Sequence, residues 1–335
     1  MKLRVLAANW RLILIALVML ALAPVTWLRT ERPPPDLGAP VAFTRLAMPE
    51  PMAGEVRIVG GWKLSSANDH FGGYSALLAL DGQHLIAASD RGRIMQLALR
   101  GDDPPRAQMT YLSGNIEPEK RLIDVESITR DPASGRFWIG YEGVNAVERL
   151  DSDLAQPVRV RPAQMRGWSS NKGAEAMVRL ADGRFILLAE GSRGWFAEDF
   201  PALLFPSDPV GGAAAEQFFF APPEGYRPVD MVQIPDGRVL VLVRKVHWEV
   251  MPRFTAKLVL ADPAAIAPGG TWSGRTIAEF APPNLSDNFE GLAAWPRDDG
   301  LLDLWMISDD NRAGFQSTYL LEMLWDPKGG AAPDR

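Results

Sequence analysis

Five times along this chain of 335 residues a short apolar segment carries an acidic or hydroxyl residue at its head, then leads through a Gly-containing turn and an apolar stretch to a charged residue. The segments are Tyr74-Ser75-Ala76-Leu77-Leu78, Val125-Glu126-Ser127-Ile128, Ala174-Glu175-Ala176-Met177-Val178, Val229-Asp230-Met231-Val232 and Phe289-Glu290-Gly291-Leu292-Ala293. Their heads, at 75, 126, 175, 230 and 290, lie 51, 49, 55 and 60 residues apart. That is within or slightly above the ~40–50-residue period of propeller blades, units that bury their apolar faces only by stacking on one another.

The later parts of the repeat stay in phase with the heads. Turn signals follow at Asp81-Gly82, Ser134-Gly135, Asp182-Gly183, Asp236-Gly237 and Asp299-Gly300, where Gly supplies the positive φ of a tight hairpin. The turns read as structural, since their only demand is backbone conformation. The next stretches, such as Arg136-Phe137-Trp138-Ile139-Gly140 and Arg184-Phe185-Ile186-Leu187-Leu188, are rich in strand formers. They end in charge at Asp90, Glu142, Glu190, Arg244 and Asp309.

Each unit has room for four strands, in the second repeat 125–129, 136–141, 146–150 and 157–160. Helical periodicity is confined to the N-terminal apolar run. The expected fold is all-β, a propeller of five four-stranded blades, with a degenerate sixth blade open within residues 245–283. The last unit, Phe289 to Trp325, is one strand short, while residues 55–62 form a strand without a unit. Pairing the two closes the ring and removes an open sheet edge.

At the N-terminus Lys2, Arg4 and Arg11 precede an apolar run from Leu12 that extends, with small interruptions, to Leu28, the pattern of an export signal. Ala21-Leu22-Ala23 offers a cleavage triplet, but the Pro24 behind it disfavours the cut. Residues 1–28 are therefore read as a signal peptide or retained signal anchor, 29–40 as a Pro-rich spacer, and 41–335 as the propeller. The 17 residues from Leu12 to Leu28 are at the short end of what spans a bilayer, and the basic start favours a cytoplasmic N-terminus. The expected location is the periplasm, tethered to the inner membrane, or outside it after cleavage. A net charge of −6 gives no basic face for nucleic acid. The absence of Cys excludes disulfides and thiolate metal sites, and His70, His84 and His247 lack metal-ligand spacing.

In a propeller the first strand of each blade lines the central channel, so equivalent residues converge at one mouth. The acids Glu126, Glu175, Asp230 and Glu290 then crowd together and raise one another's pKa unless cations intervene. Hard oxygen ligands of this kind, with Asn171, Asn288 and Asn311 nearby in sequence, suit Ca²⁺ better than zinc. The alternative is that the carboxylates brace blade starts by accepting backbone N–H groups.

In Asp124-Val125-Glu126-Ser127-Ile128, Lys172-Gly173-Ala174-Glu175-Ala176-Met177, Asn288-Phe289-Glu290-Gly291-Leu292-Ala293 and Ser308-Asp309-Asp310-Asn311, the chain resembles the phytase-like family of bacterial exported proteins, "esterase-like activity of phytase". The resemblance implies carboxylate-bound Ca²⁺ that screens phosphate charge and positions an attacking water. It gives Glu126, Glu175, Asp230 and Glu290 as metal ligands, and Glu142, Glu190 and Asp309 on the same rim as catalytic candidates. Lys172, Arg227 and Arg312 join them as cations suited to phosphoryl oxygens. The chain departs from a uniform pattern at Ser75, which replaces an acid head, and at Arg244, which replaces an acid end.

Three function classes follow. One is a metal-dependent hydrolase of a phosphate or carboxylic ester, which needs basic residues beside the acids. The second is a lactonase-like propeller with one Ca²⁺ under an apolar cover. The third is a non-catalytic periplasmic propeller that binds a ligand or protein. A serine hydrolase is disfavoured, since Gly191-Ser192-Arg193-Gly194 has the wrong spacing for a nucleophile elbow.

Overall fold

A computed structural model describes residues 10–21, 33–48, 52–100, 103–112, 123–169, 173–192, 194, 197–249, 252–283, 285–311 and 316–329. The chain divides into two compact units, 1–36 and 37–335. In the first, residues 10–21 are helical. Among the described residues no helix is long and apolar enough to cross a membrane; the end of the apolar run beyond residue 21 lies outside them.

The second unit is built from strands. After β1 (Val41–Arg45), β2 (Met52–Ala53) and β3 (Val56–Ser66), the first blade is β4 (Tyr74–Ala79), β5 (His84–Ser89), β6 (Arg93–Arg100) and β7 (Asp103–Tyr111). The second is β8 (Val125–Arg130), β9 (Phe137–Tyr141), β10 (Ala146–Leu150) and β11 (Val158–Val160), and the third begins β12 (Ala174–Arg179), β13 (Phe185–Ala189), β14 (Phe200–Phe205) and β15 (Glu216–Phe220). The fourth blade comprises β16 (Arg227–Gln233), β17 (Val239–His247), β18 (Arg253–Ala261) and, after β19 (Thr271–Trp272), β20 (Gly274–Phe280). The fifth contributes β21 (Phe289–Pro296), β22 (Leu302–Ser308) and β23 (Thr318–Trp325).

The blade short of a strand is completed as the sequence predicts. β3 pairs antiparallel with β23, Leu320 opposite Trp62, and β1 adds outside it. Around the centre the inner strands β4, β8, β12, β16 and β21 contact one another in turn, with β21 against β4. The ring is closed with five blades. The stretch proposed to hide a sixth belongs to the fourth and third: β18 and β20 complete blade four, and β19 pairs in parallel with β15. That pairing brings Trp272 against Phe218 and Phe220, ring centroids 6.1 and 5.4 Å away.

Five apolar clusters fill the five interfaces between blades. One joins Leu240 and Leu242 of blade four to Phe289, Leu292 and Met306 of blade five. Another joins Val239, Val241 and Val243 to Ala176 and Ile186 of blade three. Strand alternation sends odd and even residues of β17 to opposite neighbours, so every blade is held on both faces. At the turns joining first and second strands, Gly135, Gly183, Gly237 and Gly300 hold φ between 74° and 92°. Gly82 differs: a Cβ there would lie 3.0 Å from the Trp295 indole nitrogen, so close approach rather than φ is what it permits.

Candidate metal centre

Every inner strand carries one extra residue against its partner at the same level. In four blades the extra residue is the predicted head: Ser75, Glu126, Glu175 and Glu290. Such a bulge breaks the ladder locally and re-aims a side chain. In blade four the extra residue is Val229, because Pro228 pairs with Val243 and Asp230 with Leu242. Asp230 is thus level with Ala76, Ser127, Ala176 and Gly291, one residue deeper than the sequence alignment puts it. Its carboxylate accepts the amides of Met231 at 2.8 Å and Leu292 at 2.7 Å, and also that of Leu77. Burial pushes its pKa well up and the three amide bonds oppose the shift. Asp230 therefore braces blades four, five and one, as the capping alternative expects.

The charged ends fall at a single level. The amides of Asp90, Glu142, Glu190 and Asp309 donate to Gly73, Asp124, Gly173 and Asn288 carbonyls at 2.9–3.1 Å, and Arg244 pairs in the ladder with Arg227. With the bulged acids just inside, the carboxylates gather at one channel mouth. Asp124, Glu126 and Glu142 bring ligand oxygens within 4.8 Å of one another, and so do Glu142, Glu175 and Glu190. Glu142 belongs to both groups.

Two carboxylates at that separation repel by about 3.5 kcal/mol at an effective dielectric constant of about 20. Three such pairs reach about 10 kcal/mol, the scale of a whole domain's stability. The fully ionised state therefore needs protons or cations. Burial, followed by Glu175, Glu290, Asp124 and Glu142, drives the Glu126 pKa well above the carboxylate range. Glu175 is driven up by burial and then by Glu190, Glu142 and Glu290, with Arg244 opposing. Asp309 rises through burial, Glu290 and Asp90.

Arg244 brings a cation to ring level. It donates to Glu290 and to the Asn288 side-chain oxygen, and through Nη2 to Glu190 at 3.1 Å. Burial disfavours its charge, but Glu290, Glu190, Glu175 and Asp309 more than offset that and raise its pKa. Asn288 also donates to Glu290 at 3.0 Å. Arg227 reaches Glu190 only at 3.9 Å and keeps 46% of its side chain exposed.

The acids differ in the donors they meet. Glu142 accepts the Gly173 amide at 3.3 Å and Asp310 that of Gly73 at 3.0 Å. Glu126 and Glu175 accept no hydrogen bond from any described residue, although Glu175 is only 7% exposed. Partly or fully buried and all-oxygen, Asp124, Glu126, Glu142, Glu175 and Glu190 form a set that fits a hard divalent cation such as Ca²⁺. The structure brings together Glu126, Glu142, Glu175 and Glu190, links Glu290 and Asp309 through Arg244, Asn288 and shared charge, and leaves Asp230 outside. Lys172, Arg312 and Asn171 lie outside the described residues. Asp124 was missed as a candidate, though it stands in the Asp124-Val125-Glu126 motif; Asn288 carried no signal beyond its proximity.

The opposite mouth is apolar. There Leu78, Leu80, Ile128, Ile234 and Trp295 help line a cavity of about 310 Å³. Thr129 and Gln233 spend their polar groups on the Arg179 and Ala181 amides.

A closed five-bladed ring with buried carboxylates at one mouth defines a β-propeller with an acidic channel site. The chain belongs to the phytase-like family described as "Esterase-like activity of phytase", which matches residues 69–312. No curated protein matches the sequence. Among solved structures it is similar to the PQQ-bound aldose sugar dehydrogenase of Streptomyces coelicolor, with 10% identity and TM-score 0.44 over 86% of this chain and 99% of that one. It is also similar to a chain of a nidogen/laminin complex, with 10% identity and TM-score 0.41 over 85% of this chain and 98% of that one.

Proposed function

We propose that this propeller is a Ca²⁺-dependent hydrolase of phosphate esters, working at the acidic channel mouth. The observation that carries the reading is the arginine pair of blade four: Arg227 and Arg244 are ladder partners and both reach Glu190, at 3.9 and 3.1 Å. Bound there, Ca²⁺ would offset phosphate charge and lower the pKa of a coordinated water.

The chain's own residues do the rest. Asp124, Glu126, Glu142, Glu175 and Glu190 would hold the cation. Arg244 fixes Glu190 and Glu290 in orientation, and the exposed guanidinium of Arg227 is available to a phosphoryl oxygen. Asp309, whose pKa is raised by burial and neighbouring acids, would serve as the proton donor to the leaving oxygen. Water oxygen joins phosphorus as the ester P–O bond breaks; Glu190 accepts the water's proton, Asp309 supplies one to the departing oxygen, and the products are an alcohol and phosphate.

The test is phosphate release from aryl and alkyl phosphate monoesters with Ca²⁺ and with chelator. Turnover that requires Ca²⁺ and falls about a hundredfold in Arg227→Ala is expected. Ca²⁺ binding without turnover on phosphate esters, carboxylic esters or lactones would make the protein a binding module. The basic start and apolar run support a periplasmic location, with the propeller tethered to the inner membrane or released by cleavage. A periplasm-only reporter fused after Arg335 should be active, and a silent one would refute the location.

A further inference from the structure

Four of the five blades end their second strand just before the ring: β5 at Ser89, β9 at Tyr141, β13 at Ala189 and β22 at Ser308. Blade four does not. Past Arg244, β17 and β18 continue through the pairs Lys245–Thr255, Val246–Phe254 and His247–Arg253. At about 3.3 Å per residue this hairpin stands about 10 Å above the carboxylates. It is tied to the connection between blades four and five, because Ser286 donates its hydroxyl to the Phe254 carbonyl.

Between that hairpin and the outer part of blade five lies a cavity of about 370 Å³, lined among others by Leu46, Met48, Arg253, Pro283, Leu285 and Tyr319. Two of its lining residues are close in sequence to residues that touch Arg244. Arg244 lies over the Phe254 ring at 5.9 Å, next to the lining residue Arg253. Ser286, also in the lining, precedes by two residues the Asn288 that binds Arg244 and Glu290.

We propose that this cavity is the leaving-group subsite and that it takes an aromatic or apolar alcohol. The inference rests on the ester-hydrolase reading above. Its volume falls in the range of small-molecule pockets, about 300–1,000 Å³. The walls are aliphatic side chains, prolines and one tyrosine ring, and the Ser286 hydroxyl is already committed to Phe254, so a polyhydroxylated alcohol would lose hydrogen bonds to water on entering. The guanidinium of Arg253, paired with Glu249 at 2.9 Å and half-exposed, suits the face of an aromatic ring. An ester seated there would extend past Phe254 toward Arg244.

Leu285→Trp fills the cavity and Tyr319→Ala strips one wall; both are checked for folding by thermal melting. With 1-naphthyl phosphate and methyl phosphate as substrates, the ratio of their kcat/KM values should fall by at least about tenfold in each variant. An unchanged ratio in folded variants overturns the subsite and leaves the hydrolase standing. Binding of 1-naphthol, followed by its fluorescence, needs no turnover. If the parent hydrolyses neither ester yet binds 1-naphthol and Leu285→Trp or Tyr319→Ala does not, the subsite stands and the hydrolase reading fails. If the parent does not bind 1-naphthol, the subsite is refuted.

Discussion

Arg244 on β17 of the fourth blade donates to Glu290 on β21 of the fifth, and the same guanidinium reaches Glu190 beyond the third blade's β13 at 3.1 Å. One side chain thus ties three consecutive blades at the level where four of the five blades present acids. Its charge serves Glu190 and Glu290 directly. On blade two, burial and the neighbouring Glu175, Glu290, Asp124 and Glu142 all push the Glu126 pKa up.

Removing Arg244 should therefore expose how much repulsion it offsets. Without Ca²⁺, Arg244→Met should cost about 3–5 kcal/mol, the usual result of breaking a buried pair from one side. Urea unfolding measures it. Arg244→Lys should recover only part, since an ammonium cannot reproduce the fork to three acceptors. A Met variant within about 1 kcal/mol of the parent would show the acids to be protonated, with no repulsion for Arg244 to offset.

Calcium should act on the other side of the channel. A ligand at about a hundredfold excess over its Kd adds about 2.7 kcal/mol to the folded state, or several degrees of melting temperature. Glu175→Gln removes a buried, donor-less carboxylate while keeping its size. We expect it to melt higher than the parent in chelator and to lose most of the Ca²⁺ response. A response equal to the parent's would exclude Glu175 as a ligand.

The pH dependence should invert with metal. The pKa values of Glu126, Glu175 and Asp309 are raised in the fold, so between their unfolded values near 4.5, 4.5 and 3.8 and their folded values the native state holds more protons than the unfolded one. The stability they contribute is full below the unfolded values and lost as pH rises through the folded ones. Asp287, pushed by burial from 3.8 to about 6, adds a loss over that interval. Metal-free protein should accordingly weaken as pH rises from about 4.5, while saturating Ca²⁺, which binds the ionised acids, should reverse the slope. Melting curves across that range, with and without chelator, check both signs.

Blade number, strand limits and ring closure were legible because each depends on a pattern of period two or on a repeat, as in Phe137–Tyr141 or the spare strand around Val56. The ring of Asp90, Glu142, Glu190, Arg244 and Asp309 was legible for the same reason. The bulge was not. Val229 and Asp230 are adjacent, and nothing in spacing tells which one drops out of the ladder; only the pairing of Asp230 with Leu242 decides it. The same slip separates a candidate ligand from a brace. Nor does sequence spacing reveal that Glu142 joins both carboxylate groups, since that depends on how closely blades two and three approach.

Asp230 offers the sharpest test of that distinction. An ionised Asp can accept all three amides, from Met231, Leu292 and Leu77, whereas in Asp230→Asn the side-chain NH₂ must face at least one N–H with no acceptor. A buried donor left unsatisfied costs about 1–3 kcal/mol, and here the loss falls on the joint between blades four, five and one. Asp230→Asn should lower stability by that amount in chelator and in Ca²⁺ alike, leaving the Ca²⁺-induced rise in melting temperature as large as in the parent. Glu175→Gln should do the opposite on both counts. If Asp230→Asn instead abolishes the Ca²⁺ response while the folded protein is otherwise as stable as the parent, then Asp230 is a ligand and the bulge register at Val229 does not describe the metal-bound state.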